Sequence, residues 1–289
     1  MTEQTAFREH HWLSKDGLQL YARLYDGAGP AAPAVLCLPG LTRNSADFED
    51  LAEHLAPRFR VICPDLRGRG RSARDPVWQN YHPGTYLGDL ALLIAGLSLA
   101  RVAIVGTSLG GLLGMLLPTV LPAAIAGVVL NDVGPEIDPV GIERIKGYAG
   151  RLPPVTSWDE AVAQLKLVFG AAWPGLDEAT WRKLVRRSYR EDASGVPVLL
   201  ADPRIGEALR AAPQAAGDLW PVWAKVAAVP MLAIRGALSD VLSAATLARM
   251  QHEHPGLGVL SVANRGHVPL LDEPECLAAI DAFLSQLSY

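Results

Sequence analysis

Residues 101–117 of this 289-residue chain read RVAIVGTSLGGLLGMLL, and this stretch decides the fold class. The segment RVAIV predicts a short buried strand, and residues 109–121 follow with a helical pattern. The turn between them, Gly106-Thr107-Ser108-Leu109-Gly110, has the pattern G-x-S-x-G. A sharp strand-to-helix turn of this kind pushes the serine at its apex into the open. Ser108 is therefore the candidate nucleophile.

The stretch from Val102 to Asn131 contains no charged residue, and a hydropathy window would flag it as a membrane span. Five glycines and two prolines interrupt it too often for one continuous spanning helix. The pattern instead predicts a strand, a turn, a helix and a second strand at the centre of a parallel sheet. Strands that are buried on both faces are expected to be apolar. We therefore expect no membrane attachment.

Short apolar strands alternate with helical segments on both sides of this stretch. This alternation predicts an α/β fold, with a mostly parallel central sheet and helices on both faces. The alternation stops after Asp132 and resumes at Val229, and residues 135–225 show helical segments but no convincing strand. We predict a core domain of residues 1–134 and 226–289, interrupted by a helical cap insertion at 135–225.

The composition narrows the class of partner. With 26 basic and 30 acidic residues, the formal net charge is −4, which argues against a nucleic-acid-binding protein. The cysteines, Cys37, Cys63 and Cys276, are odd in number and predict buried thiols rather than disulfides. The first residues, MTEQTAFREHHW, lack the pattern of a signal peptide. We expect a cytoplasmic protein that acts on a small molecule, and the sequence carries no signal for an oligomeric state.

A serine hydroxyl needs a base, and the base needs an acid to orient it. His267 lies in the loop ANRGHVPLLDEP after the last predicted strand, at the sheet edge that also carries Ser108. The alternative is a solvent-exposed loop histidine without a catalytic role. No grouping of histidine, cysteine or acidic residues has the spacing of metal ligands, so we expect no metal site.

Two acids compete for the third position. Asp240 follows the strand MLAIRG in the loop ALSDVLS, and Asp132 follows the strand GVVLN. We favour Asp240, because its loop comes directly before the segment that carries the histidine. Asp132 remains the alternative acid, and its other interpretation is a structural role at the start of the insertion.

Five motifs belong together, LPGL at 38–41, DLRGRGRS at 65–72, GTSLGG at 106–111, SD at 239–240 and GH at 266–267. On these motifs the chain resembles the α/β-hydrolase superfamily over essentially its whole length. The resemblance implies a catalytic triad of Ser108, Asp240 and His267, a helical cap over the site and no cofactor. A serine at position 108 argues against the haloalkane dehalogenase and epoxide hydrolase branches, which use an aspartate nucleophile.

In this fold the backbone N–H groups of Leu41 and Leu109 are expected to form the oxyanion hole. Pro39 stands where many members have a histidine, which leaves the Leu41 N–H in place but alters the pocket. The arginines at 67, 69 and 71 predict a structural loop in which Asp65 pairs with an arginine. The alternative is that they bind an anionic substrate.

Three side chains are predicted to line the substrate pocket, Tyr81, His82 and Tyr86. Five tryptophans in the insertion suit either an apolar acyl or alcohol group or ordinary packing of the cap. The basic residues at 182–190 recur at helical spacing and predict a solvated face, with an acidic partner or substrate as the alternative.

These residues predict a serine hydrolase that cleaves a carboxylic ester or lactone of a small, largely apolar molecule through an acyl-enzyme on Ser108. A thioesterase, an acyltransferase, an enol-lactonase and a C–C bond hydrolase use the same triad and remain alternatives, because fold alone does not define the scissile bond. A non-catalytic ligand-binding module on the same fold is the alternative from outside the enzymes.

Overall fold

The computed structural model describes residues 7–212 and 218–289. Residues 1–6 of the predicted core domain and residues 213–217 of the predicted cap insertion lie outside the described residues. Ten strands are found in the described residues, eight in a central sheet and two in a small hairpin of the insertion. In chain order they are β1 (Arg8–Leu13), β2 (Gln19–Tyr25), β3 (Ala34–Leu38), β4 (Arg60–Asp65), β5 (Val102–Thr107), β6 (Ile125–Asn131), β7 (Tyr189–Glu191), β8 (Pro197–Leu199), β9 (Met231–Gly236) and β10 (Gly258–Val262).

The central sheet has the order β1-β2-β4-β3-β5-β6-β9-β10. The two pairings that involve β2 are antiparallel, and the other five pairings are parallel. The predicted α/β fold with a mostly parallel sheet is therefore confirmed. The uncharged stretch from Val102 to Asn131 forms β5, a helix and β6, and every residue of β6 is buried.

Helices pack on both faces of the sheet. Alternate residues of the central strands point to opposite faces, as Leu36 and Cys37 in β3 illustrate by belonging to different apolar clusters. The helices are α1 (Glu49–Leu55), α2 (Pro83–Gly96), α3 (Leu109–Val120), α4 (Pro139–Tyr148), α5 (Trp158–Phe169), α6 (Glu178–Ser188), α7 (Arg204–Ala211), α8 (Trp220–Lys225), α9 (Ala244–Glu253) and α10 (Pro274–Ser285).

One face of the sheet is covered by α1 and α10, and the other by α2, α3, α8 and α9. The three cysteines are buried free thiols. Within the described ranges, no helix is long and apolar enough to cross a membrane.

The segment between β6 and β9 has a further apolar cluster, separate from the two on the faces of the sheet. This cluster joins α5 to α6 and includes Trp173 and Trp181. Two tryptophans at the end of the segment, Trp220 and Trp223, pack instead with the main core. The segment also contains the β7–β8 hairpin, so the expectation of no strand there was wrong. Its two strands have three residues each, which is too short for an alternating pattern to be visible.

Candidate active site

Ser108 lies at the sharp turn between β5 and α3 with a φ of +52°, a backbone conformation that residues other than glycine rarely adopt. Close backbone contacts on both sides require glycine. A Cβ added to Gly106 would lie 2.3 Å from the Gly110 carbonyl oxygen, and one added to Gly110 would lie 1.9 Å from the Leu38 carbonyl oxygen. The elbow therefore forms only with these glycines in place, and it presents the Ser108 hydroxyl to the sheet edge.

His267 lies against this serine. Its Nε2 atom is 2.9 Å from Ser108 Oγ, and the imidazole is 5% exposed. A hydrogen bond of this length lets a neutral imidazole accept the hydroxyl proton. The solvent-exposed alternative for His267 is wrong, because the ring is buried between Ser108 and an acidic side chain.

That acid is Asp132, and the prediction that Asp240 would contact the histidine is wrong. Asp132 Oδ2 is 2.8 Å from His267 Nδ1, and the carboxylate is fully buried. The Ser239 hydroxyl donates to the same oxygen at 2.6 Å, and the Gly236 N–H donates to Oδ1 at 2.8 Å. These two hydrogen bonds, from the end of β9 and the loop after it, orient the carboxylate so that its Oδ2 atom faces the imidazole.

Asp240 is paired elsewhere. The Arg144 guanidinium, in α4, donates two hydrogen bonds to the carboxylate of Asp240, from Nε to Oδ2 at 2.5 Å and from Nη2 to Oδ1 at 2.8 Å. These hydrogen bonds lower the pKa of Asp240 below its ordinary value. The carboxylate is thus used to fasten the insertion to the core. The sequence offered one signal for choosing between the two acids, their distance from the end of the preceding strand. Asp132 directly follows β6, whereas Asp240 comes four residues after the end of β9.

The insertion holds the histidine loop on both sides of His267. The Gly266 N–H donates to the Ala172 carbonyl oxygen at 2.7 Å, and the Trp173 indole N–H donates to the Val268 carbonyl oxygen at 2.6 Å. On the core side, Asn131 Nδ2 donates to the Pro269 carbonyl oxygen at 2.9 Å. Sequence reasoning missed these contacts, because they join segments about 95 residues or more apart in the chain.

Replacing Trp173 by phenylalanine is expected to lower kcat by about threefold to tenfold, because it removes the hydrogen bond to Val268 and loosens the His267 loop. Steady-state ester hydrolysis measures the effect. The matched control is Trp158→Phe, which removes an indole hydrogen bond to Glu191 on the outer side of the insertion. Equal activity of the two variants would contradict a positioning role for Trp173.

A cleft with about 920 Å³ of empty space, including its open mouth, lies over Ser108 and His267. Leu41, one of the two expected oxyanion donors, lines this cleft. The other expected donor, the N–H of Leu109, belongs to the first residue of α3 and therefore has no acceptor within the helix. The apolar part of the lining includes Phe48, Ile145, Phe169, Trp173 and Leu184. Both core and insertion therefore form the walls.

The predicted pocket residues do not line this cleft. The Tyr81 hydroxyl donates to Asp202 Oδ2 at 2.6 Å, and the Tyr86 hydroxyl accepts from Arg69 at 2.8 Å. His82 caps α2 by accepting from the Gly84 N–H. This prediction was wrong, because the hydrogen bonds of these side chains are made to Asp202, Arg69 and the start of α2 and not at the cleft.

The arginine loop has the structural role that was expected, with different partners. Arg67 pairs with the carboxylates of Asp16, Asp75 and Asp89. The prediction that Asp65 pairs with an arginine side chain was wrong, because its carboxylate accepts the backbone N–H groups of Ser45 and Arg71. Arginines 67, 69 and 71 all lie away from the cleft lining, which leaves the anionic-substrate alternative unsupported.

The basic face of α6 is only partly solvated. Lys183 and Arg187 bind Asp50 of α1, Arg187 at 2.8 Å, and so join the insertion to the core beside the cleft. Burial acts to raise the pKa of Asp50, but the hydrogen bonds from these two cations outweigh it and lower the pKa. The expectation of a solvated face was therefore wrong for Arg187, which is buried, whereas Lys183 stays exposed.

The fold and the site together have the arrangement of a hydrolase active site, with a serine at a sharp strand-to-helix turn of a parallel sheet, a facing histidine and a buried carboxylate. A model of the alpha/beta hydrolase family matches residues 35–280, and the chain belongs to this family. The resemblance expected from the sequence motifs is thus confirmed.

Three relatives illustrate the range within the family. The 3-hydroxybutyrate-oligomer hydrolase of Cupriavidus necator is 33% identical over 285 residues, which cover 94% of this chain and 95% of that protein. The 2-(acetamidomethylene)succinate hydrolase of Mesorhizobium japonicum is 28% identical and covers 88% of both. The crystal structure of an alpha/beta hydrolase from Novosphingobium aromaticivorans matches with a TM-score of 0.90 and 43% identity, covering 96% of this chain and 98% of that one.

Proposed function

We propose that this chain is a serine hydrolase that cleaves carboxylic esters through an acyl-enzyme on Ser108, with Asp132 as the acid of its triad. The observation that carries the proposal is the continuous path of hydrogen bonds from Ser108 Oγ to His267 Nε2 at 2.9 Å and from His267 Nδ1 to Asp132 Oδ2 at 2.8 Å. This arrangement supplies a nucleophile, a base and an orienting acid in the order that acyl transfer needs.

In the first half-reaction Ser108 Oγ attacks the ester carbonyl carbon while its proton passes to His267 Nε2. Asp132 accepts the Nδ1–H hydrogen bond and stabilises the imidazolium that forms. The negative charge on the carbonyl oxygen is met by the backbone N–H groups of Leu41 and Leu109. When the tetrahedral intermediate collapses, the leaving alkoxide takes the proton from Nε2 and departs as an alcohol.

In the second half-reaction water attacks the acyl-enzyme carbonyl and gives a proton to His267 Nε2. The same backbone donors stabilise the second oxyanion. Collapse breaks the bond to Ser108 Oγ, which recovers its proton from the imidazolium, and the carboxylic acid leaves. The residues return to their starting protonation states, so the cycle consumes only ester and water.

For the substrate, we propose esters of short hydroxy acids. The cleft walls are mostly apolar near Ser108, and the three cations among their polar residues are paired with carboxylates, Arg43 with Asp47 and both Lys183 and Arg187 with Asp50. This mostly apolar lining with polar groups at its edge suits a short acyl chain with oxygen substituents. The name of the relative from Cupriavidus necator, a 3-hydroxybutyrate-oligomer hydrolase, supports the same substrate class. A lactone presents the same carbonyl and leaving alkoxide in a ring.

The test compares scissile bonds, with the p-nitrophenyl ester, the thioester and the amide matched in acyl length. The panel contains a linear 3-hydroxybutyrate trimer, butyrolactone, p-nitrophenyl butyrate, a butyryl thioester, the corresponding amide and 2-(acetamidomethylene)succinate. We expect the trimer and the p-nitrophenyl ester to be hydrolysed fastest, and Ser108→Ala at equal concentration provides the blank. Turnover of the thioester or of 2-(acetamidomethylene)succinate with inert oxygen esters would contradict the proposed ester specificity.

A further inference from the structure

Arg69 is a buried cation that pairs with no carboxylate among residues 7–212 and 218–289. Its side chain is 1% exposed, and none of the ion pairs in the described residues includes it. Arg67, two residues earlier and equally buried, has three carboxylates around it. A buried charge that lacks a counter-ion is destabilising unless hydrogen bonds compensate for it. The role of Arg69 therefore has to be inferred from the hydrogen bonds and ring contacts of its guanidinium.

The guanidinium contacts backbone oxygens and aromatic side chains instead of acids. Its Nε donates to the Leu41 carbonyl oxygen at 2.8 Å, and its Nη1 donates to the Arg67 carbonyl oxygen at 2.7 Å and the Tyr86 hydroxyl at 2.8 Å. The group also lies 4.8 Å from the centre of the Tyr86 ring and 5.6 Å from that of Tyr81. Four neutral partners thus hold it in one place.

One of these partners is Leu41, whose N–H is the proposed donor to the oxyanion. Leu41 lines the cleft, whereas Arg69 lies behind it. A charge-assisted hydrogen bond to the Leu41 carbonyl restrains the backbone of the same residue that must present its N–H to the substrate. An oxyanion donor stabilises the transition state only when it is already in place before the charge develops.

The loop that carries Arg69 is itself anchored by the insertion. Arg69 forms an antiparallel bridge with Ala201, the Gly70 N–H donates to the Leu200 carbonyl oxygen at 2.7 Å, and the Asp202 N–H donates to the Gly68 carbonyl oxygen at 2.8 Å. These backbone bonds hold the base of the Arg69 side chain. Because the insertion holds the backbone around Arg69, the guanidinium connects the insertion to the loop that carries Leu41.

We propose that Arg69 is a positioning residue that holds the Leu41 N–H in place for the oxyanion. This inference rests on the proposed function, because it assigns Arg69 to the transition state of that reaction. The geometry requires the fork of an arginine, since three donor contacts in different directions are made from one planar group.

The test uses Arg69→Met and Arg69→Lys, with Arg71→Met as the matched control from the same loop. Arg71 is half exposed and pairs with Glu9 at the surface. We expect Arg69→Met to lower kcat for p-nitrophenyl butyrate by about 10- to 100-fold with KM within about threefold, since the loss concerns the transition state. Lysine keeps the charge but not the fork, so Arg69→Lys is expected to fall between the methionine variant and the wild type.

Two further readouts separate positioning from general loosening. Butylboronic acid forms a tetrahedral adduct with an active serine, and its inhibition constant should rise in Arg69→Met by about the same factor as kcat falls. The acid limb of the pH–rate profile should keep its position, because Arg69 acts on the oxyanion and not on His267. A loss confined to KM, or a moved acid limb, would contradict the inference.

A folded Arg69→Met with kcat within threefold of the wild type would overturn it. If the methionine variant does not fold, Arg69→Lys decides, with at least about a fivefold loss of kcat expected and wild-type kcat as the contrary result. Failure of the wild-type protein to hydrolyse any ester of the panel or to bind butylboronic acid would instead overturn the proposed function and this inference together.

Discussion

Replacing Ser108 by alanine is expected to lower kcat for ester hydrolysis by about a millionfold, the size of effect seen when a serine hydrolase loses its nucleophile. The variant keeps the cleft and the proposed oxyanion donors, so it should still bind substrate. The whole loss should therefore appear in kcat and leave KM nearly unchanged. Steady-state kinetics with p-nitrophenyl butyrate and the 3-hydroxybutyrate trimer measure it.

The matched control is Ser98→Ala. Ser98 is exposed and also has a positive φ, of +53°, so its substitution reproduces the backbone context of the Ser108 change far from the cleft. We expect wild-type kinetics from this control. Ester hydrolysis that persists in folded Ser108→Ala at a tenth of the wild-type rate would show that another group performs the chemistry.

The second large effect separates the two acids. Asp132→Asn is expected to lower kcat by about 10³- to 10⁴-fold, because an amide does not hold the histidine in the tautomer that accepts the serine proton. Asp240→Asn is expected to change kcat by no more than about threefold, because its carboxylate binds Arg144 and not His267. Parallel kinetics of the two variants form the measurement. Inactive Asp240→Asn with active Asp132→Asn would contradict the assignment.

Asp240→Asn should instead affect stability, with a defined pH dependence. The hydrogen bonds from Arg144 lower the pKa of Asp240, so the ion pair stabilises the fold above the ordinary pKa of an aspartate and ceases to do so as pH falls through the lowered value. Both side chains are about a third exposed, so the loss at neutral pH is at most about 1 kcal/mol. Thermal melts at pH 7 and at acid pH should show a difference at pH 7 that shrinks on acidification.

The sequence predicted the parts of the site that depend on local backbone geometry. The glycines around Ser108 and the apolar strands on either side define the elbow and the centre of the sheet without knowledge of distant contacts. His267 was found in the same way, because it follows the last strand of the sheet. These features are short in sequence and have strong stereochemical requirements.

The choice between Asp132 and Asp240 was not decided by local pattern. Each follows a strand that ends at the active edge, and the difference arises from partners far along the chain. Ser239 and Gly236 bind Asp132, and Arg144 of the insertion binds Asp240. The wrong prediction for Tyr81 and Tyr86 has the same cause, because contacts with Asp202 and Arg69 set the direction of these two side chains.

The most direct test of the central claim is covalent labelling by a small fluorophosphonate, followed by mass spectrometry of the digested protein. The phosphonyl group replaces the Ser108 hydroxyl proton and fluoride departs, so one adduct is expected on the peptide that contains Ser108. We predict complete labelling of the wild type, none at this peptide in Ser108→Ala, and much slower labelling of Asp132→Asn. Folded wild-type protein that stays unlabelled, or an adduct on a different residue, would contradict Ser108 as the nucleophile.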